Sequence, residues 1–397
     1  MSAPLSGLRI VEFGNLVAAP YCGMLLADLG AEVIKIEPLG GDLAREIGPF
    51  YGEESAFFIA VNRGKKSVAI DAKAPLASTV LRRLCLGADV VLNNLRRGAM
   101  ERMGLGYRDL SDGGGHVVYA SITAFGATGP DADRPGIDLV FQGESGMMSI
   151  AGDEGDPPHK TATTIADFVA GTNAALAIVA AIAGGGGRRG GEGRLVEVAL
   201  RDSLIAVQAG WNAQFFASGN QPERTGTASP VTAPNQSFRT ADGYFNVAVV
   251  SDRHFAETAK ALDLFELGED PRFGSNALRV ENRQALTERL QTVFETRPTD
   301  HWIDVLSRAG IPVGRILDLP AVFADRQAQH NEMLVAVEHP RAGSINTQGS
   351  PLRVDGSPAR SQLPAPFLGQ HTREVLTELG ITDDEIDDLV RAGEAVE

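Results

Sequence analysis

Asp167 stands in Thr163-Thr164-Ile165-Ala166-Asp167-Phe168, just ahead of a long uncharged run. A carboxylate at a helix start accepts backbone N–H bonds and meets the positive end of the helix dipole. Both effects favour the ionised form, which a carboxylate nucleophile requires. The same placement is also the commonest structural use of Asp, a helix cap, and position alone favours that role. Asp138, in Arg134-Pro135-Gly136-Ile137-Asp138, precedes another helical stretch and reads as a cap too. Asn62-Arg63-Gly64-Lys65-Lys66, with Lys73 beyond the next strand, would suit phosphate groups, but on spacing alone a solvated basic loop is the favoured reading. The seven histidines form no pair at metal-ligand spacing, and no HExxH, GxSxG or P-loop occurs, so no metal site is expected.

These residues need a frame, and the first half of the chain supplies one. Residues 9–13 read as a strand, 20–29 as a helix with Pro20 in its first turn, and 32–37 as a second strand, a complete right-handed βαβ unit. Strands follow at 67–71, 89–93, 117–122 and 194–199, alternating with helical patterns. Alternation of this kind predicts an α/β sheet covered on both faces. The first βα turn, Gly14-Asn15-Leu16-Val17-Ala18-Ala19-Pro20, has the place of a dinucleotide loop, and Glu37 the place of a ribose-binding acid. The G-x-G-x-x-G fingerprint is missing, which argues against a nicotinamide or flavin enzyme. A ligand near this turn is still expected, because helix N-termini collect anions. Gly184–Gly193 looks like a phosphate cradle but lacks the closing Gly-Lys-Ser/Thr, and reads as a connection. The run 168–187 is long enough to span a membrane but Ala- and Gly-rich, and is expected as a helix buried on all sides.

The character changes near residue 219. Residues 219–236 read as a linker, 237–320 as a smaller α+β domain with a hairpin around 241–243, and 321–397 as a return linker and a second piece of the large domain, closed by helices at 371–379 and 382–392. Residues 1–218 make up the first piece of that large domain. The 397 residues carry 36 basic and 51 acidic side chains, a net charge of −15, which removes the basic footprint of a nucleic-acid binder. With 43% apolar and 22% charged residues the chain is globular in composition. Two distant cysteines, Cys22 and Cys85, exclude a disulfide framework and suit a reducing cytoplasm. No secretory signal is visible at residues 1–14, and no membrane partner is expected.

Several runs resemble family III CoA-transferases, the formyl-CoA transferase and carnitine CoA-transferase (CaiB/BaiF) family. They are LSGLRIVEFGNLVAAPYCGMLLADLGAEVIKIEPLGGD at 5–42, NRGKKSVAID at 62–71, ADVVLNNLRRGAMERMGLGY at 88–107 and SITAFGATGPDADRPGID at 121–138. GRLVEVALRDSL at 193–204, AGIPVG at 309–314 and LGQHTREVLTELG at 368–380 continue the likeness over nearly the whole chain. The resemblance implies a Rossmann-like large domain built from both ends of the chain, a smaller α+β domain, and an interlocked homodimer of threaded rings. It implies coenzyme A, carried as an acyl-CoA substrate, and a carboxylic acid acceptor.

By the same resemblance Asp167 matches the nucleophile that forms an aspartyl-CoA thioester. Asn15, Leu16, Val17 and Ala18 match the CoA-binding turn, Ile70 and Lys73 adenine-side positions, and Arg102 a phosphate-side arginine. Two departures stand out: Pro38 replaces an arginine of the formyl-CoA transferase-like members, and their tetraglycine loop is absent from 219–236. Racemases of the same family need a histidine where this chain has Ile137, so transfer is expected over racemisation. A CoA-binding protein without catalysis is the remaining alternative.

Overall fold

The computed structural model describes residues 3–113, 116–187 and 191–397. Arg188, Arg189 and Gly190 of the glycine-rich connection lie outside the described residues. The chain forms two compact units, one of residues 1–147, 161–209 and 325–397, the other of 148–160 and 210–324. The second unit thus draws on two stretches of chain rather than one.

The first unit is built on a sheet whose strands are β1 (Arg9–Phe13), β2 (Glu32–Glu37), β3 (Lys65–Ile70), β4 (Val90–Asn93), β5 (Val118–Thr123) and β6 (Arg194–Ala199). They lie in the order β3-β2-β1-β4-β5-β6, all parallel. The chain end returns to this sheet, where Ala395–Val396 pairs antiparallel with β3. Successive parallel strands are joined by crossovers, so both faces of the sheet are covered and neighbouring strand residues are both apolar. Ile10 and Val11, neighbours in β1, are both fully buried, in different cores. Val11, Ile34, Val68 and Val91 face the helix Pro75–Gly87 and the C-terminal helices Thr372–Glu378 and Asp383–Arg391. Ile10, Val33, Val90 and Val118 face helices α1 (Ala18–Asp28) and α3 (Ile165–Ala183). Between them in sequence lies α2 (Asp138–Glu144), and α4 (Leu200–Val207) follows β6.

The expectation that the apolar helix is buried on all sides is corrected by the structure. In α3, Ala166, Ala170, Gly171, Ala174, Ala175 and Ile178 form a packed face, while Leu176 is 69% exposed. The small residues are there for closeness. A Cβ on Gly171 would stand 2.7 Å from the carbonyl oxygen of Ala18. The helix is long and apolar enough to cross a membrane by length and composition, yet one side is committed to α1 and the sheet.

The second unit carries an antiparallel sheet of Asn235–Arg239, Tyr244–Ala248 and Val313–Arg315. The hairpin around 241–243 forms as expected, closed by Thr240 N–H donating to Gly243. Its core is aromatic: Phe238, Phe245, Phe294 and Trp302 meet edge to face. The return linker expected after residue 320 contains the hairpin Leu334–His339 with Gly343–Gln348. Alternate buried residues there are few, so the strand pattern was weak in the sequence.

Candidate functional site

Strand order reverses between β2-β1 and β4-β5, so the crevice outside the carboxyl ends of β1 and β4 is the topological switch point of the sheet. The turn 14–18 lies there. Asn94, just past β4, exchanges two hydrogen bonds with Asn15: its Oδ1 accepts the Asn15 N–H at 2.9 Å and its Nδ2 donates to the Asn15 carbonyl at 2.9 Å. The Asn15 Oδ1 in turn accepts from the N–H groups of Leu16 and Leu43. Leu16 holds φ 62°, a left-handed conformation that a leucine resists. Val17 and Ala18 are buried, Asn15 and Leu16 half-buried. No side chain caps the start of α1. The turn therefore presents a helix N-terminus without an internal anion.

The remaining expected contacts gather on the same edge. Ile70 ends β3, but its side chain is buried in the core on one face of the sheet, so its backbone is what can meet a ligand. Lys73 and Arg102 are exposed beyond β3 and β4. From β3 to β4 is three strand spacings, about 14 Å, a span suited to an elongated ligand.

Asp167 lies in the first turn of α3, half-buried. Gly171, one turn later on the same helix face, packs on Ala18, and Phe168 meets Tyr21 edge to face at 4.8 Å. These contacts bring the start of α3 to the start of α1. The cap of α3 is not Asp167. Thr164 gives no side-chain cap, and the Ala166 N–H is bound at 2.9 Å by Asp138 Oδ1 reaching across from α2. Asp138 thus caps another helix rather than its own. Its Oδ2 accepts from Nε2 of the fully buried Gln142 at 2.6 Å, and Gln142 Oε1 accepts the Thr161 N–H.

The expectation that Asp167 is biased towards the ionised form is also corrected. Burial pushes its carboxyl up to about 7, the Asp138 carboxylate adds to the rise, and its own backbone N–H opposes it only in part. Desolvation outweighs the helix end here.

Two further expectations change. Glu37 cannot bind a ribose, since it is buried and holds Arg45 through two hydrogen bonds of 2.7 and 2.8 Å. That pairing also commits Arg45, the basic residue that follows Pro38 most closely in sequence. The 62–66 segment is neither a phosphate loop nor solvated throughout. Arg63 grips Asp28 bidentately and Lys65 is buried against Glu12, while Lys66 bridges Glu32 and Glu374. Sequence reading missed Asn94, Asp42, Lys35 and Gln142. Asn93-Asn94 at a strand end and Gly40-Gly41-Asp42 after β2 were the visible signals. A cleft of about 570 Å³ on the second unit, lined by Asn235, Ser237, Asn246 and neighbours, contains no titratable side chain and no expected site residue.

The family model described as CoA-transferase family III matches residues 5–372. A human protein named succinyl-CoA:glutarate CoA-transferase is 36% identical over 393 residues, covering 98% of this chain and 89% of that protein. The succinate–glutarate CoA-transferase of Agrobacterium fabrum is 35% identical over 384 residues, covering 95% and 96%. Among solved structures, a CaiB/BaiF family protein from Brucella suis superposes with a TM-score of 0.84 at 35% identity, covering 96% of this chain and 100% of that one.

Proposed function

The chain belongs to CoA-transferase family III, and from that premise we propose that it moves CoA from an acyl-CoA donor to a free carboxylic acid through a thioester on Asp167. The observation that carries the reading is the placement of Asp167: a half-buried carboxylate, not used as a cap, beside the 14–18 turn at the switch point. The ionised carboxylate attacks the thioester carbonyl and expels CoA thiolate, leaving a mixed anhydride. The thiolate attacks the Asp167 acyl carbon of that anhydride and releases the donor acid. The acceptor carboxylate then attacks the aspartyl-CoA thioester, and the returning thiolate attacks the acceptor acyl carbon and frees Asp167. Each step is a covalent exchange at acyl carbon, balanced without a further reactant. Burial leaves the Asp167 carboxyl poorly solvated and so raises its pKa, as is typical of a working site.

CoA lies, in this reading, across Asn15–Ala18, the Ile70 backbone, Lys73 and Arg102. Relatives named for succinyl-CoA with glutarate, D-citramalate or mesaconate support succinyl-CoA as donor and a dicarboxylic acid as acceptor. Racemisation is not supported, because Ile137, 65% exposed, has no proton to exchange. The chain works as an interlocked homodimer in this reading, a role that the open apolar side of α3 supports. Two buried, unpaired cysteines support a cytoplasmic location.

The test is covalent trapping. Incubation with succinyl-CoA and then hydroxylamine should leave a hydroxamate on the peptide carrying Asp167, with Asp138 unmodified, and Asp167→Ala should abolish both label and transfer while the protein stays folded. Transfer surviving in Asp167→Ala, or label on Asp138, would overturn the assignment.

A further inference from the structure

The CoA-bearing turn stands on a buried charge network that no ligand contact explains. Lys35, on β2, is fully buried, and its Nζ meets Glu12 Oε1 at 3.1 Å, Asp42 Oδ2 at 2.8 Å and the Gly14 carbonyl at 2.8 Å. Glu12 carries a second ammonium, Lys65, at 2.8 Å, and Lys65 also donates to the Pro20 carbonyl and Asn62 Oδ1. Two carboxylates and two ammonium groups thus neutralise one another under the turn, with Glu37 and Arg45 as a third pair alongside. Gly23 makes room for this: a Cβ there would stand 2.0 Å from Glu12 Oε2.

Asp42 links the network to the turn. While Oδ2 faces Lys35, Oδ1 accepts the N–H of Leu16 at 2.9 Å and of Ala44 at 2.9 Å. Leu16 is the residue at φ 62°, so this bond ties down the one strained position of the turn. Burial alone would raise the Asp42 carboxyl, but Lys35 and the two N–H donors hold it below its ordinary value.

We propose that Asp42 is a positioning residue that, braced by Lys35, clamps Leu16 in its left-handed conformation and so holds the Asn15–Ala18 turn in the shape that binds acyl-CoA. This rests on the CoA site proposed above. The chemistry of the clamp sets the test. In Asp42→Asn the amide cannot serve both sides, since its one acceptor oxygen turns to the Lys35 ammonium and its NH2 then opposes the Leu16 N–H. Removing the ammonium frees the amide oxygen for Leu16. Lys35→Met/Asp42→Asn and Lys35→Met/Asp42→Ala keep the same charge balance and differ in that acceptor.

CoA binding by calorimetry and steady-state kinetics with succinyl-CoA should separate the variants. The Asn double variant should bind CoA at least about tenfold more tightly than the Ala double variant, the effect of the buried hydrogen bonds that Leu16 and Ala44 donate to residue 42, with the Leu16 N–H otherwise left to Asn15 Oδ1 alone. The difference should fall on KM for acyl-CoA, with kcat and the acceptor KM within about threefold. Single Asp42→Asn, where it folds, should behave like the Ala double variant. Equal affinities of the two double variants, or a loss falling on kcat and both KM values alike, would overturn the clamp. Lys73→Glu and Arg102→Glu test the underlying reading separately. If they weaken CoA binding while the double variants are equal, the clamp alone is wrong; if neither pair changes CoA binding, the site itself is wrong.

Discussion

The charge of the Asp138 carboxylate acts on Asp167 and adds to the effect of its burial. An Asp167 carboxyl raised to about 7 must lose its proton before it attacks, so kcat/KM should fall as pH drops through an apparent pKa near 7. Asp138→Asn keeps an oxygen for the Ala166 N–H and removes the neighbouring charge. The acid limb should therefore move to lower pH, and a limb that stays in place or rises would show that Asp138 is not the charge Asp167 feels. Stability should follow the same sign. The folded carboxyl titrates above its ordinary value of 3.8, so its unfavourable contribution is absent below about that pH and grows until about 7. Asp167→Asn should raise the Tm little at pH 4 and most at pH 7 and above, while losing transfer.

Close approach of α1 and α3 is what joins the two halves of the site. Gly171 allows it, and the obstacle to any larger residue is backbone rather than a movable side chain. Gly171→Ala should cost about 1–3 kcal/mol, as overpacking of a filled interior does, and should lower transfer beyond the loss of folded protein. Denaturant unfolding beside specific activity of the folded fraction measures both. An Ala variant with unchanged stability and activity would mean that α3 can shift without disturbing Asp167.

At the scale of the molecule, the apolar side of α3, where Leu176 is 69% exposed, would be covered in the interlocked homodimer proposed above. Threaded rings part only by partial unfolding, so light scattering should give a dimer at every dilution that retains native circular dichroism. Leu176→Asp should then impair folding and assembly together instead of releasing a folded monomer. A folded monomer from either experiment would count against threading.

Alternating apolar strands and helices, with Pro20 in the first turn of α1 and Thr382 opening Asp383–Arg391 through a two-way capping box, were legible because their causes are local. So was the place of Asp167 at the start of an apolar helix. Its state of ionisation was not, because it is set by burial and by the charge of Asp138, 29 residues earlier in sequence, which together oppose the local helix-end effect. The basic 62–66 segment misled for the same reason: Asp28, Glu12 and Glu374 sit far off in sequence, and only the packed sheet sets them opposite Arg63, Lys65 and Lys66. Asp42 and Lys35 looked like ordinary polar residues of a loop and a strand. Folding buries them as a pair under Leu16, and desolvation is what turns two common side chains into a brace.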